Sequence, residues 1–352
     1  MNLDELRGKL DLIDSEMIKL LNMRMELAVR TRKLKDSPAD PAREKEILEH
    51  VKKSSKGLVK PEFATKIFEQ IMTESKKIQE GNPTLVGFQG EHGAWGEMAA
   101  RAFDPKAIPI TLKEFPDVFS AVEKSQLDFG IVPVENSIEG AVNQVNDLLV
   151  ETSLQIVGEV RIPVHHCLLA LPETDYRDIK VVYSHPQALA QCRGFITRNK
   201  LEPRPFYDTA GAAMMLSNER PKAAAAIASR LSAELYGLEV LKENIEDHDS
   251  NSTRFVVLAR QKSQKKGNKC SIIFSTTHKA GSLFGVLKIF SDAGINLTRI
   301  ESRPIRDETK KFAFLMDFAG SDSDPKIAAV LEKVKESAPT YKFLGCYDEA
   351  KE

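Results

Sequence analysis

The sequence predicts a multidomain chain of the α and α/β classes. An all-helical N-terminal segment is followed by an α/β domain and a C-terminal ferredoxin-like βαββαβ domain. Three observations predict this. Over residues 1–80 apolar side chains recur at spacings of three and four. From Leu85 short β-rich runs alternate with helical ones. From residue 269 the runs read strand, helix, strand, strand, helix, strand. The 352 residues suffice for two or three domains of about 100–200 residues each.

Leu3, Leu6, Leu10, Ile13, Met17 and Leu20 draw a heptad-like seam along one long helix over 3–34. Asp40-Pro41 opens a second helix, with Asp40 as N-cap and proline at the first helical position. Gly57 closes it. Pro61 opens a third, expected to turn Phe63, Ile67, Ile71 and Ile78 inward. Three helices of these lengths close no globule, so the first needs a partner surface from outside its own chain. Gly81-Asn82-Pro83 marks the end of this domain.

Runs at 85–88, 129–134, 154–160, 165–171, 181–184, 224–229 and 254–259 read as strands. They predict an α/β domain over 83–260 with a largely parallel sheet. Gln261–Lys269 is polar and basic without interleaved aromatics, the composition of a solvated linker over 261–268 and not of a nucleic-acid surface. The last domain, 269–352, has strands expected at 270–275, 297–302, 312–318 and 341–347 and helices at 283–293 and 327–336.

The formal net charge is −1, so no global field draws nucleic acid or an anionic membrane, and neither is expected as a partner. No apolar run approaches the roughly 20 residues of a membrane span. The first residues mix charge with apolar side chains, unlike a secretory leader. A cytoplasmic protein is expected. Cys167, Cys192, Cys270 and Cys346 lack C-x-x-C spacing and read as reduced thiols. His165-His166-Cys167 has ligand-type side chains, but strand neighbours point to opposite faces and do not converge on one ion. No metal and no cofactor is expected.

Arg24 and Lys35 stand eleven residues apart, about 20° in phase at ~100° per residue, and share a helix face. Ser75 and Gln79, at i and i+4, share another. Arg7 precedes Arg24 by ~25 Å of straight helix and is ~100° out of phase. One chain cannot bring both to one small molecule; a second chain alongside can. With Asp40, Arg43 and Glu44, these positions resemble the site of the all-helical chorismate mutases, over residues 1–80. The resemblance implies that Arg24 and the other protomer's Arg7 hold the two carboxylates of chorismate. It implies that Lys35 and Gln79 stabilise the ether oxygen as its bond breaks. It further implies that Glu44 and Asp40 hold the ring hydroxyl and that Arg43 and Ser75 complete the binding set. The concerted rearrangement to prephenate needs a flexible dianion held in its compact shape, and no nucleophile. The Lys35–Asp40 connection is shorter than in many relatives.

In the α/β part Val132-Pro133-Val134-Glu135-Asn136-Ser137 is followed by Glu139-Gly140, then Tyr183-Ser184-His185-Pro186-Gln187, Asp208-Thr209-Ala210 and Asn251-Ser252-Thr253-Arg254-Phe255. In this order the motifs resemble prephenate dehydratase, over 84–260. The resemblance implies two α/β lobes, like a periplasmic solute-binding protein, with the site between them. The chain is expected to cross after Val157–Val160 and return near Leu241. Thr253 matches the family's essential threonine, and Asn136 and Glu135 join it as catalytic candidates. Ser184, Gln191, Asp208, Thr209 and Arg254 match substrate-binding positions. Strand alternation sets Thr253 and Arg254 on opposite faces, which leaves Arg254 open between a binding and a structural role. Gly87-Phe88-Gln89-Gly90 through Gly93-Ala94-Trp95-Gly96 resembles the family's opening motif, with Gly96 where relatives carry serine. No Lys-Ser/Thr follows, so it is no nucleotide loop; its N–H groups suit a carboxylate.

Gly281-Ser282-Leu283, and Ile295-Asn296-Leu297-Thr298 leading to Glu301-Ser302-Arg303-Pro304, resemble the ACT domain of dehydratases. This implies an allosteric phenylalanine site between paired domains, formed by Gly281, Ser282, Leu283, Asn296, Leu297, Glu301, Ser302 and Arg303. Ser282 stands where relatives usually have alanine. The whole reading is a bifunctional chorismate mutase and prephenate dehydratase, an isomerase and lyase of phenylalanine synthesis. Its small-molecule partners are chorismate, prephenate and phenylalanine, and it is expected as a homodimer or tetramer. The alternatives are an arogenate dehydratase, a dehydratase whose helical domain only dimerises, and a small-acid-binding protein.

Overall fold

The computed structural model describes residues 2–35, 37–304 and 312–350. The helical segment is α1 (Leu3–Arg32), α2 (Pro41–Ser54) and α3 (Pro61–Glu80). Asp40 caps α2 as expected, its Oδ1 accepting the Arg43 N–H at 3.0 Å. The α1 seam has no cover within one chain: Leu3, Leu6, Leu10, Ile13, Met17 and Leu20 are 44–61 % exposed. On α3 the expectation fails in part. Phe63 is exposed, Ile67, Ile71 and Ile78 are half-buried, and the buried row is Ala64, Met72, Ser75 and Gln79. The face turned inward is rotated toward two polar residues that apolar periodicity could not select.

The far end of α1 is anchored to the next domain. Val29 joins that domain's core, and Lys33 pairs with Asp128 at 2.7 Å. His92 bridges Glu26 of α1 (Nε2 to Oε1, 2.7 Å) and the fully buried Glu97 (Nδ1 to Oε2, 3.0 Å). Burial opposes the imidazolium, but the two carboxylates outweigh it and hold its pKa up to about 9. A raised histidine pKa stabilises the fold fully below its free value of about 6.5 and loses that contribution as pH climbs through the folded value. The thermal midpoint of the wild type is therefore expected to exceed that of His92→Gln at about pH 6, with the gap closing toward about pH 10. A gap that does not change with pH would show that His92 is held neutral.

The first lobe is a six-stranded sheet. Its main path runs Ile108–Leu112, Leu85–Gln89, Phe129–Asn136, Ser252–Ala259 and Gln155–Pro163, with Gly140–Ala141 paired beside Phe129–Asn136. The first three strands are mutually parallel, and Ser252–Ala259 is antiparallel to both its neighbours. The second lobe has five strands, in the order Glu239–Lys242, Cys167–Ala170, Ala224–Ala228, Val181–Ser184 and Glu202–Pro205. Its last three are parallel, and its first two pair antiparallel. Both sheets are mixed, where a largely parallel one was expected. The crossing explains this for the first lobe: the strand that returns from the second lobe enters from the opposite end. The chain crosses after Pro163 and returns between Lys242 and Ser252, slightly beyond the expected points. Glu202–Pro205 is an edge strand, where its two prolines are tolerated.

The third sheet runs Leu297–Pro304, Phe312–Ala319, Lys269–Ser275, Tyr341–Tyr347, all antiparallel. Helices Ser282–Asp292 and Pro325–Ser337 complete the predicted βαββαβ order. The domain lies directly on the first lobe. Ile273, Leu315, Leu344 and Tyr347 share a core with Ile156 and Val256, and any side chain at Gly345 would strike the Ile156 carbonyl. Lys269 is not part of a solvated linker. It is buried between Glu159 and Glu349, each at 3.0 Å.

Candidate active sites

A cavity of about 480 Å³ lies between the two lobes. Trp95, Asn136 and Thr253 line it from the first lobe, and Gln191, Asp208 and Thr209 from the second. Among the described residues no lysine or arginine lines it. An anion here is met by neutral donors and by the N-termini of helices Trp95–Phe103 and Thr209–Glu219, whose first N–H groups have no partner within the helix. Asp208 caps the second of these, its Oδ1 accepting Gly211 N–H at 2.7 Å. Burial, reinforced by Glu91, pushes the Asp208 carboxyl up despite that bond.

Thr253 and Asn136 are register partners on antiparallel strands, so their side chains stand together. Asn136 Nδ2 donates to Thr253 Oγ1 at 3.0 Å and to Asn251 Oδ1 at 2.8 Å, while Asn136 Oδ1 accepts the N–H groups of Ile138 and Glu139. Because Thr253 Oγ1 accepts, its own hydrogen is left to be donated. Asn251 Nδ2 continues the chain to Gln191 Oε1 at 3.1 Å, and Gln191 Nε2 donates to Glu139 Oε1 at 2.9 Å, across the cleft. Sequence reasoning missed Asn251 and Glu139 as parts of the site, although both stand inside motifs that it quoted.

One step along each strand the side chains reverse. Arg254 and Glu135 are register partners on the face away from the cavity. Arg254 is buried, bonded to Glu159 at 2.8 Å and to Asp317 of the third sheet at 2.7 Å, with Glu135 at 3.4 Å. Burial works against its charge, and Asp317 and Glu159 more than restore it. Of the two roles left open for Arg254 the structure shows the structural one, and the catalytic part expected of Glu135 is corrected: alternation carries both side chains away from the cavity, and Arg254 to the C-terminal domain. Ser184 is also out of place for substrate. It is fully buried, and its Oγ donates to the Ile227 carbonyl at 2.6 Å. Gly96 is explained by crowding, since a Cβ there would lie 3.1 Å from Phe88.

In the helical domain Arg24 Nη1 and Gln79 Oε1 are buried without a hydrogen-bond partner. Gln79 Nε2 donates to Ser75 Oγ at 3.2 Å, and burial lowers the Arg24 pKa. The other expected residues are held locally. Lys35 Nζ donates to the Pro38 carbonyl at 3.1 Å, Arg43 pairs with Glu46 at 2.9 Å, and Glu44 pairs with Lys76 at 3.0 Å. Lys76 went unnoticed in the sequence. Arg7 lies on the exposed half of α1.

In the C-terminal domain Gly281 takes φ +86 ahead of helix Ser282–Asp292, and Ser282 Oγ lies 2.9 Å from Thr277 Oγ1, a bond alanine could not make. Leu283 packs partly against that domain's core. Leu297–Pro304 is an edge strand of alternating exposure. Asn296 and Ser302 are exposed, while Leu297 and Glu301 are half-buried. Arg303 is drawn to the first lobe, pairing with Asp147 at 2.5 Å and donating to Asn143 at 2.6 Å. This docking contact was not foreseen from the sequence.

Three family descriptions match consecutive parts of the chain: chorismate mutase type II at 6–80, prephenate dehydratase at 86–263 and ACT domain at 271–336. The chain is 36% identical to the bifunctional chorismate mutase/prephenate dehydratase of Pseudomonas aeruginosa, over 99% of this chain and 98% of that one. The structure of prephenate dehydratase from Arthrobacter aurescens in complex with L-Phe superposes with a TM-score of 0.70 at 30% identity, covering 76% of this chain and 90% of that one. A structure described as GqqA, a quorum quenching acylase, superposes with a TM-score of 0.71 at 34% identity, covering 76% and 98%.

Proposed function

The chain belongs to the bifunctional chorismate mutase/prephenate dehydratases, and from that premise we propose how its parts divide the work. The helical domain rearranges chorismate to prephenate. The cleft converts prephenate to phenylpyruvate, carbon dioxide and water, and the ACT domain gives phenylalanine control over the second step. The observation that carries the dehydratase half is the Thr253–Asn136 pair at a cleft lined by no lysine or arginine among the described residues. Neutral donors hold a carboxylate without over-stabilising one that must leave as carbon dioxide. The C–C bond pair of that carboxylate fills the ring, the C–O pair leaves with the hydroxyl, and one proton completes water. Thr253 directs its hydrogen at the departing oxygen. A likeness to an acylase reports the shared fold and leaves the chemistry to the site.

For the mutase half, the uncovered α1 seam and the partnerless Arg24 and Gln79 atoms support a site completed by a second chain. Lys35, Asp40, Arg43, Glu44 and Ser75 surround chorismate in it. Gln191, Asp208 and Thr209 hold prephenate, and Gly281, Ser282, Leu283, Asn296, Leu297, Glu301 and Ser302 serve phenylalanine between paired ACT domains. The test is direct. Given chorismate alone, the protein is expected to accumulate prephenate and then phenylpyruvate, and phenylalanine is expected to slow the second step and raise the thermal midpoint. Prephenate without phenylpyruvate would remove the dehydratase assignment. An unchanged rate and midpoint at saturating phenylalanine would reduce the ACT domain to architecture.

A further inference from the structure

The two adjacent histidines ahead of Cys167 have no part in the scheme above, and they differ. His165 is exposed, its Nδ1 bonded to Glu246 at 2.8 Å. His166 is 1 % exposed, lines the cleft, and meets the Trp95 ring edge-on at 5.8 Å. Its backbone N–H donates to Glu246 Oε2 at 2.8 Å, which fixes the segment.

The hydrogen-bond chain at the cleft sets its tautomer. Glu139 is an acceptor-only carboxylate and takes Gln191 Nε2, so Gln191 Oε1 is turned to the other side. There it accepts from Asn251 Nδ2, and His166 Nε2 lies 2.8 Å from the same oxygen. A carbonyl oxygen has no hydrogen to give, so Nε2 carries the ring hydrogen. The charged or titratable groups around the ring are Glu246, His165 and, through Gln191, Glu139. Burial outweighs Gln191 and Glu246 and keeps the His166 pKa below its ordinary value. The ring is therefore neutral at pH 7, with a lone pair on Nδ1. That nitrogen is buried without a hydrogen-bond partner. An acceptor left so costs stability, which points to a use.

We propose that His166 Nδ1 accepts a hydrogen bond from the ring hydroxyl of prephenate and so orients the leaving group toward Thr253. The inference rests on the dehydratase reading above. At neutral pH the two carboxylates and the ketone of prephenate only accept hydrogen bonds, and its ring hydroxyl is the one donor. A partnerless acceptor on a residue that lines the cleft has that one group of the substrate to bind. The departing hydroxyl keeps its own hydrogen on Nδ1 and takes the proton that completes water on another lone pair, the one facing Thr253. With its hydrogen held on His166, the hydroxyl cannot rotate that hydrogen into the path of the threonine. His166 is a substrate contact that positions the leaving oxygen, not the acid.

The test uses the full chain. His166→Gln can keep the donation to Gln191 while losing the acceptor at the Nδ1 position. Its kcat/KM for prephenate is expected to fall about 10- to 100-fold, the effect of one buried hydrogen bond, with mutase activity unchanged. His166→Asn, whose amide reaches near the Nδ1 position, is expected to recover part of the loss, and His165→Gln to lose nothing. In the wild type kcat/KM is expected to drop at acid pH, below the ordinary histidine range because burial lowers the His166 pKa, where protonation puts a hydrogen on Nδ1, and this limb should be missing from His166→Gln. A His166→Gln value within about twofold of wild type, or an unchanged acid limb, overturns the proposal. Should the variant also lose mutase activity and its thermal transition, the wild-type profile decides alone, and absence of the acid limb overturns it. A wild type that dehydrates no prephenate would instead remove the parent assignment.

Discussion

Thr253→Ala is expected to slow prephenate dehydration by roughly 10²–10³-fold, the loss of one preorganised donor at about 2.7–4 kcal/mol. The magnitude follows from how completely the hydroxyl is prepared. Asn136 Nδ2 occupies its acceptor side at 3.0 Å, and both oxygen contacts of Asn136 are to backbone N–H groups, so the amide cannot rotate away. The threonine is 9 % exposed, so little solvent substitutes for it. Among the described residues none of the helical domain lines this cavity, and the variant should turn chorismate into prephenate and stop there. Thr253→Ser keeps the hydroxyl and should retain much more activity than alanine. Equal rates for serine and alanine would show that the methyl group's packing, and not the hydroxyl, is what matters.

The second large effect is expected in the helical domain. Arg24→Ala and Lys35→Ala should each lower the chorismate rearrangement by at least about 10²-fold, because each removes a charged donor worth about 2.7–4 kcal/mol or more to a dianion. Dehydration of supplied prephenate should be unaffected. Arg7→Ala should be as damaging, although Arg7 lies on the exposed half of α1 and cannot reach the Arg24 region within its own chain. Mixing the Arg7→Ala and Arg24→Ala proteins under exchange should restore activity, since each heterodimer carries one site with both arginines. Heterodimers that form and stay inactive would sink the two-chain site.

The fold was legible wherever one physical signal acted alone. The α1 seam, the Asp40-Pro41 cap and the six runs of the last domain all stand where spacing and turn chemistry put them. Legibility failed where neighbours outside the local pattern decided. Glu202–Pro205 forms a strand because an edge tolerates proline, and nothing in its own residues says so. Lys269 looks like linker until Glu159, far away in sequence, buries it. At the site, alternation already separated Thr253 from Arg254, yet it could not say that Asp317 waits on the other face. Ser184 matched its motif and was claimed by a backbone carbonyl. For His166 strand alternation spoke only against a metal cluster, and its tautomer depends on Gln191, Asn251 and Glu139, which only folding brings together.

The back-to-back placement of Thr253 and Arg254 has one more consequence. Arg254 is gripped by Asp317 of the regulatory sheet, and the same strand presents Thr253 to the cleft one residue earlier. An effector that shifts the sheet therefore does work on the strand that faces substrate. Thermodynamic coupling of that kind has no direction. Whatever factor phenylalanine imposes on the affinity of the cleft for prephenate, a ligand resting in the cleft must impose on phenylalanine. Where phenylalanine weakens prephenate binding, an occupied cleft raises the phenylalanine concentration needed for inhibition, and the set point of the feedback moves with supply.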